Sequence, residues 1–333
     1  LIDFRPAFRV EVDGQDITSV VSKRLVSLRL SDAAGVQSDQ FSLSLSDALP
    51  FARLQEPGVG AEIKVWLGYG LRLKYMGLFI ADRVETSGPP DLMNIEAFAS
   101  PHGETTSGQT AITEQRSRSW PAGTTLGALV DRVAGDHGMV SAVSASLSGI
   151  VLPHTDQVDE SDINLLSRLA LDLDAIAKPA NGRLILAKRG ESLSASGMAM
   201  PTVPIVLSDV SSWRVSRSLR EAVGQVVAVW QDLDAGQPVE LLAGAGAPVR
   251  RLRDRYPSRE AAQRAADAEF ARSSRAGRAL SLTLPGNPDL IAEGLVKLSG
   301  FRSYVDGTWL VTRVEHSLDA TGYRCSVTGE PPK

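Results

Sequence analysis

The chain has 333 residues, 43% of them hydrophobic and 22% charged, with a formal net charge of −4 at neutral pH. That length suits two or three ordinary domains, no apolar run approaches the roughly 18 residues of a membrane span, and the small negative charge gives no general attraction to nucleic acid or to an anionic bilayer. Cys325 is the single cysteine, so an internal disulfide is excluded and the fold rests on packing. The first residues lack the basic-then-apolar pattern of a secretory signal, and the absence of an initiator methionine points to a trimmed chain.

From Ala7 to Val12, Phe8, Val10 and Val12 alternate with polar residues and Asp13-Gly14 follows, which predicts a strand and a hairpin. Further alternating strands are expected at Leu25 to Leu30, Gln40 to Leu45, Glu62 to Leu67, Leu78 to Glu85 and Met93 to Ala99. Turn residues separate them at Ala34-Gly35, Pro57-Gly58, Tyr69-Gly70 and Gly88-Pro89-Pro90. Strands at this spacing argue for an antiparallel sandwich or barrel, placed at residues 1–105. Pro101 to Gln115 is polar and reads as a linker.

The periodicity then changes. Thr124 or Thr125 caps a short helix with Leu126, Leu129, Val130 and Val133 on one face, ending near Gly135. In the stretch His154 to Leu186, Asp159 or Ser161 caps a second helix. Ile163, Leu166, Ala170 and Leu173 form its buried stripe, Asp162, Arg168 and Asp172 face water, and Lys178-Pro179 end it. Asn181-Gly182 suits a tight hairpin and Arg183 to Ala187 a strand. Together these predict a small α/β domain at residues 116–189, followed by a second linker from Gly190 to Pro201.

The last part, residues 203–333, returns to β structure. Trp213 to Val215, Val223 to Trp230, Val239 to Leu242, Leu280 to Leu284, Leu295 to Leu298, Thr308 to Glu315 and Tyr323 to Val327 are the expected strands. A long helix interrupts them at about 258–275, capped by Ser258, with Ala262, Ala265, Ala266 and Phe270 on its packing face. Nine arginines fall between Arg250 and Arg278 against four acids, a pattern more often a solvated face or a protein contact than a nucleic-acid grip.

The two β-rich parts share a word. Arg83-Val84-Glu85-Thr86-Ser87 matches Arg313-Val314-Glu315-His316-Ser317, and each is followed by a turn and an alternating strand. Gly60 to Val65 precedes the first copy much as Gly294 to Leu298 precedes the second. Outward charges on alternating strands would give part of this by themselves, but the shared context favours duplication. Because oligomers close by symmetry, three chains with two similar domains each can place six similar units around one axis.

Residues for chemistry are sparse. His102, His137, His154 and His316 lie in no HExxH or Cys/His cluster, and Cys325 sits in a strand pattern suited to a small buried hydrophobe. The acids beside His154, namely Asp156, Asp159, Glu160 and Asp162, invite a metal reading, but helix capping and the helix dipole account for them. Gly244-Ala245-Gly246 lacks the Lys-Ser/Thr pair of a phosphate loop. No catalytic, cofactor or metal residue is assigned. Two carboxylates suffice for a glycosidase, so a peptidoglycan hydrolase stays open, while an aromatic content of 5% is low for a sugar-binding or host-receptor-binding protein.

In order along the chain come Arg118-Ser119-Trp120, Thr124-Thr125-Leu126-Gly127, His154-Thr155-Asp156-Gln157 and Glu160-Ser161-Asp162-Ile163-Asn164-Leu165-Leu166-Ser167-Arg168. Later come Gly286-Asn287-Pro288-Asp289-Leu290, Gly300-Phe301, Trp309 and Val314-Glu315-His316. With these words the whole chain resembles the phage late control protein D family, the baseplate hub of P2-like contractile tails, similar in fold to the hub part of type VI secretion spike proteins. Ser218-Leu219-Arg220 departs from the family, where Asp-Arg before an aromatic is expected. The resemblance implies two tube-like β domains, a homotrimer with a pseudo-sixfold ring, a tail-tube hexamer on one side and a trimeric central spike on the other. It further implies contacts with baseplate wedge and tape-measure proteins, a place in the virion tail baseplate after assembly in the host cytoplasm, no enzyme activity, no nucleic-acid recognition and no membrane insertion.

Overall fold

The computed structural model describes residues 5–35, 39–48, 53–99, 112–180, 182–189, 200, 202–218, 223–232 and 235–332. Most of both expected linkers, Asn181 of the expected tight turn and Leu219-Arg220 lie outside the described residues.

Two copies of one β unit lie edge to edge in a 13-stranded sheet. In the first, Leu25–Ala33, Gln40–Ser46, Leu92–Ala99 and the long strand Arg72–Ser87 are neighbours in that order, and Glu62–Tyr69 and Pro6–Val12 follow. In the second, Ser212–Arg217, Arg278–Pro285, Gly322–Glu330 and Gly307–Asp319 take the same order, with Leu295–Ser299 and Thr202–Val206 beyond. Pairing is antiparallel, except that Thr202–Val206 runs parallel to Leu295–Ser299 where its counterpart Pro6–Val12 is antiparallel to Glu62–Tyr69.

Alternation explains the faces. Phe41, Leu43 and Leu45 are buried while Ser42, Ser44 and Ser46 between them are less so, as a period of two requires. The sheet curls so that Val10 and Ile63 face Leu43 and Met93 across one cavity, and Phe41 meets Phe79 at 5.5 Å between ring centres. A single apolar core runs through both copies. Each fully buried Leu, Ile or Phe in it contributes about 1.5–3 kcal/mol relative to exposure. Cys325 is one of its members, as a small strand hydrophobe.

One connection differs between the copies. In the first, only residues 34–39 separate Leu25–Ala33 from its neighbour Gln40–Ser46, whereas residues 218–277 are inserted at the corresponding place in the second. The insertion is a three-stranded sheet of Gln225–Asp232, Gln237–Gly244 and Val249–Tyr256 covered by the helix Arg259–Ala276. Val226, Ala228, Leu241 and Ala243 pack there against Ala262 and Ala266 in a core of their own. The strands expected at Val223 to Trp230 and Val239 to Leu242 therefore belong to this insertion and not to the large sheet. Ser258 caps the helix, accepting from the Ala261 N–H at 3.2 Å.

The α/β unit has a third core, including Leu126, Leu129, Val130, Leu165, Leu166, Leu184 and Leu186. Thr125 caps Leu126–Asp136 and Ser161 caps Asp162–Leu171. Two expectations change here. The acids entering the second helix lie on a strand, Thr155–Ser161, paired with Gln115–Trp120. The helix ends at Leu171, where the chain reverses through Asp174 at φ +50°, and Lys178-Pro179 belong to the strand Ala175–Ala180. Arg183–Lys188 lies between that strand and Val140–Val143, antiparallel to the first and parallel to the second.

Candidate assembly interface

The two copies meet where Gly307–Asp319 pairs antiparallel with Leu25–Ala33, Glu315 opposite Ser31 and Leu318 opposite Leu28. Arg313 Nε donates to Ser31 Oγ at 3.0 Å across this seam. The matching words Arg-Val-Glu thus occupy equivalent strands, but Arg313, Val314 and Glu315 lie on the seam while Arg83, Val84 and Glu85 lie on an outer edge.

Register makes the equivalence of the copies residue-specific. Each long strand carries a bulge immediately before its arginine, between Ala81 and Arg83 in one and between Val311 and Arg313 in the other. Gly77 and Gly307 both have positive φ, +140° and +125°, which a side chain would strain. Ile63 faces Phe79 as Val296 faces Trp309. The Gly60 N–H donates to Ala81 O as the Glu293 N–H donates to Val311 O. Gly60 therefore corresponds to Glu293, with φ of +91° and +67°, one residue earlier than the match to Gly294 read from sequence.

Glu293 is a glutamate in a conformation that favours glycine, and its carboxylate accepts from the Gly35 N–H at 3.3 Å, across the seam. Beside it Lys178 of the α/β unit reaches into the junction. Its Nζ donates to Asp39 at 2.8 Å, Asp32 at 3.2 Å and the Ala33 carbonyl at 3.1 Å. Burial and the neighbouring Asp32 push the Asp39 carboxyl up to about 7 despite the opposing Lys178. Burial disfavours the Lys178 charge, but Asp32 and Asp39 outweigh it and raise its pKa. Arg275 of the inserted helix, almost wholly buried, binds Asp174 and, at 3.1 Å, Glu330. The α/β unit, the insertion and the ends of the large sheet are thus joined by buried charge pairs.

The signature residues of the centre form one network inside the α/β unit. Asp162, expected to face water, is fully buried because Arg118, His137 and Gln157 enclose it. Burial opposes its charge, yet hydrogen bonds from Gln157 and His137 and the charge of Arg118 hold its carboxyl below the ordinary range. Gln157 also donates to Glu160 O at 2.8 Å, and Arg168 binds the Glu160 carboxylate at 2.9 Å. Trp120 lies under the Arg118 guanidinium at 4.6 Å. Ser161 is the cap, and His154 and Asp156 face each other at 3.1 Å on the exposed flank. The acids beside His154 consequently have separate partners and do not converge.

Trp309 and His316 sit in the core of the large sheet. Trp309 Nε1 donates to Val305 O at 2.8 Å. His316 is enclosed by Tyr323 Oη at 2.8 Å and Leu290 O at 3.2 Å, with Cys325 Sγ at 3.2 Å from its Nδ1. Burial pushes His316 down to about 4 and the Cys325 thiol up to about 11, the reverse of an activated thiolate. Most arginines from 250 to 278 are spent on internal partners: Arg250 and Arg272 on Glu269, Arg251 on Glu240, Arg255 on Gln231. Among the described residues no helix is long and apolar enough to cross a membrane.

Sequence reasoning missed Lys178 and its acids, because their positions are scattered along the chain. It also missed a second repeated word, Ser27-Leu28-Arg29-Leu30-Ser31 and Ser212-Trp213-Arg214-Val215-Ser216, whose spacing of serine and arginine was readable.

Two equivalent β units joined edge to edge, with an α/β unit between them in the chain and an insertion in one connection of the second, define a duplicated β protein. Residues 110–322 match the family described as phage tail baseplate hub (GPD), and the chain belongs to that family, whose members are parts of the virion tail baseplate. It is 30% identical to the probable baseplate hub proteins of Escherichia phage 186, over 96% of this chain and 91% of the relative, and of Escherichia phage P2, over 97% and 92%. In fold it is similar to a tail protein from Neisseria meningitidis MC58, at 12% identity and a TM-score of 0.73 over 98% of this chain and 97% of the other. An E. coli component of the type VI secretion system gives 10% identity and a TM-score of 0.56 over 98% and 76%.

Proposed function

We propose that this hub works as a homotrimer whose six β units form a pseudo-sixfold ring, adapting a sixfold tail tube to a trimeric central spike. The residue-for-residue equivalence of the two units carries the reading, since three chains then present six nearly equal surfaces around a threefold axis. The tube-protein hexamer stacks on one side of the ring and the spike attaches on the other. The α/β unit and the 218–277 insertion decorate each chain once, so they suit threefold or peripheral partners such as wedge or tape-measure proteins. The role is mechanical, without a catalytic step.

Light scattering on the full chain at two concentrations, alone and co-expressed with its spike and tube proteins, tests the reading. A particle of three times the 35.5-kDa chain is expected. A chain that stays monomeric in both preparations refutes it. Incubation with peptidoglycan should release no soluble fragments, and their release would overturn the purely mechanical role.

A further inference from the structure

Each β unit has the same two edges, and the chain uses only one of each. Leu25–Ala33 of the first unit lies against the Arg313–Asp319 half of the long strand in the second. Their twins are Ser212–Arg217 in the second unit, beyond Arg278–Pro285, and the Arg83–Ser87 half of the long strand in the first. Among the described residues neither twin edge meets a strand on its outer side. Such an edge presents a row of unpaired backbone N–H and C=O groups.

Burial shows the same deficit. Leu28 and Leu30 are buried, whereas their twins Trp213 and Val215 are half-buried, and Val314 is buried where Val84 is half-buried. The polar faces are the same, however. At the seam Ser31 stands opposite Glu315 and Arg29 opposite Ser317, while Arg313 reaches Ser31 diagonally and Ser27 stands opposite Asp319. The free edges carry Ser212, Arg214 and Ser216 on one and Arg83, Glu85 and Ser87 on the other. Identical side chains are thus kept on edges that, among the described residues, pair with no strand of the chain. The loop at Glu56, bound to Thr86 at 2.6 Å, is no obstacle, because the corresponding loop at Leu290 packs on His316 while that edge is occupied.

We infer that Ser212–Arg217 of one copy of this chain pairs antiparallel with Arg83–Ser87 of a second copy, in the register of the internal seam. Glu85 then stands opposite Ser216 and Ser87 opposite Arg214, while Arg83 reaches Ser216 diagonally, as Arg313 reaches Ser31. This step rests on the trimeric reading and adds to it the edges, their direction and their register. Three such joins leave no free edge on the inner strands, which removes the hazard of open-ended strand addition.

Paired cysteines test it. The full chain carrying Glu85→Cys and Ser216→Cys is co-expressed with its spike and tube proteins and oxidised, beside the two single variants. The twin pair Glu315→Cys and Ser31→Cys, directly opposite within one chain, sets the yield to be expected of this geometry. Covalent trimers from the interchain pair alone are expected, with none from either single variant. The register is overturned if light scattering shows the trimer and the twin pair links, yet Glu85→Cys with Ser216→Cys stays unlinked. It is equally overturned if the slipped pair Glu85→Cys with Arg214→Cys links in its place. Absence of a trimer in every preparation sinks the trimeric reading itself, and this inference with it.

Discussion

Replacing Lys178 with methionine keeps the length of the side chain and removes the charge that fastens the α/β unit to the seam. The ammonium bonds two carboxylates, at 2.8 and 3.2 Å, and a carbonyl at 3.1 Å, and Glu293 feels its charge as well. Removing one partner of a buried ion pair typically costs about 3–5 kcal/mol. The cost here is moderated, because an abandoned carboxylate takes up a proton, and Asp39 already titrates at about 7. We expect a loss of about 3 kcal/mol at pH 8, shrinking toward about 1 kcal/mol at pH 5, since each proton captured offsets roughly 1.4 kcal/mol per pH unit. The sign in the native protein agrees: Asp39 has a folded pKa above its ordinary 3.8, so its contribution is complete below about pH 4 and is lost as pH rises through about 7. Denaturant unfolding of variant and parent at both pH values, at one fixed protein concentration, measures the difference. An equal cost at pH 5 and pH 8, or no cost at pH 8, refutes the role of Lys178 as the charge that balances these acids.

His316 gives the opposite slope: burial holds its folded pKa near 4 against 6.5, so stability is full above pH 6.5 and falls toward pH 4, by up to about 3 kcal/mol. His316→Gln should flatten that part of the pH–stability curve. Asp162→Ala leaves Arg118 and His137 facing each other without their carboxylate and should destabilise the α/β unit by about 3–5 kcal/mol, read as earlier unfolding in denaturant. Val314→Asp places an unpaired charge in the core and should abolish tail assembly by unfolding the seam, whereas Val84→Asp, on the outer edge, should leave circular dichroism unchanged and prevent trimerisation. Normal tails from Val314→Asp would remove that strand from the core.

Much of this was legible in the sequence. Strict alternation at Gln40 to Leu45 and Met93 to Ala99 gave those strands because one face is buried and the other polar. The caps at Thr125, Ser161 and Ser258 were readable because a helix start needs a side-chain acceptor wherever it occurs. Asp162 misled because periodicity assigns it to the polar face of its helix, and only tertiary contact brings Arg118 and His137 onto that face. Val249–Tyr256 escaped because its Arg-rich pattern looks like a solvated surface, although it is an edge strand paired only on one side. The seam was invisible for a further reason. Outward residues of a β strand look alike whether they meet water or another strand, and here the same words serve on both kinds of edge.

In the proposed trimer, that sharing would let one chain satisfy two symmetries. On the inner strands the units have kept the same residues, Ser-x-Arg-x-Ser on one edge and Arg-Val-Glu-x-Ser on the other, so every junction in the proposed ring uses one geometry. Away from those strands they have diverged. Asp32, which holds Lys178 at the internal seam, corresponds to Arg217 at the free edge, and Glu293 corresponds to Gly60. An α/β unit fastened through Lys178 therefore fits the seam within a chain and would be repelled by Arg217 at the proposed junction between chains. The short link between Ala33 and Gln40 and the 218–277 insertion would distinguish the same two junctions. A surface made only of inner strands would read as six, and any surface that includes the α/β unit or the insertion as three. In the proposed trimer, a sixfold tube and a threefold spike are then told apart by which part of the hub they touch, with no change of conformation required.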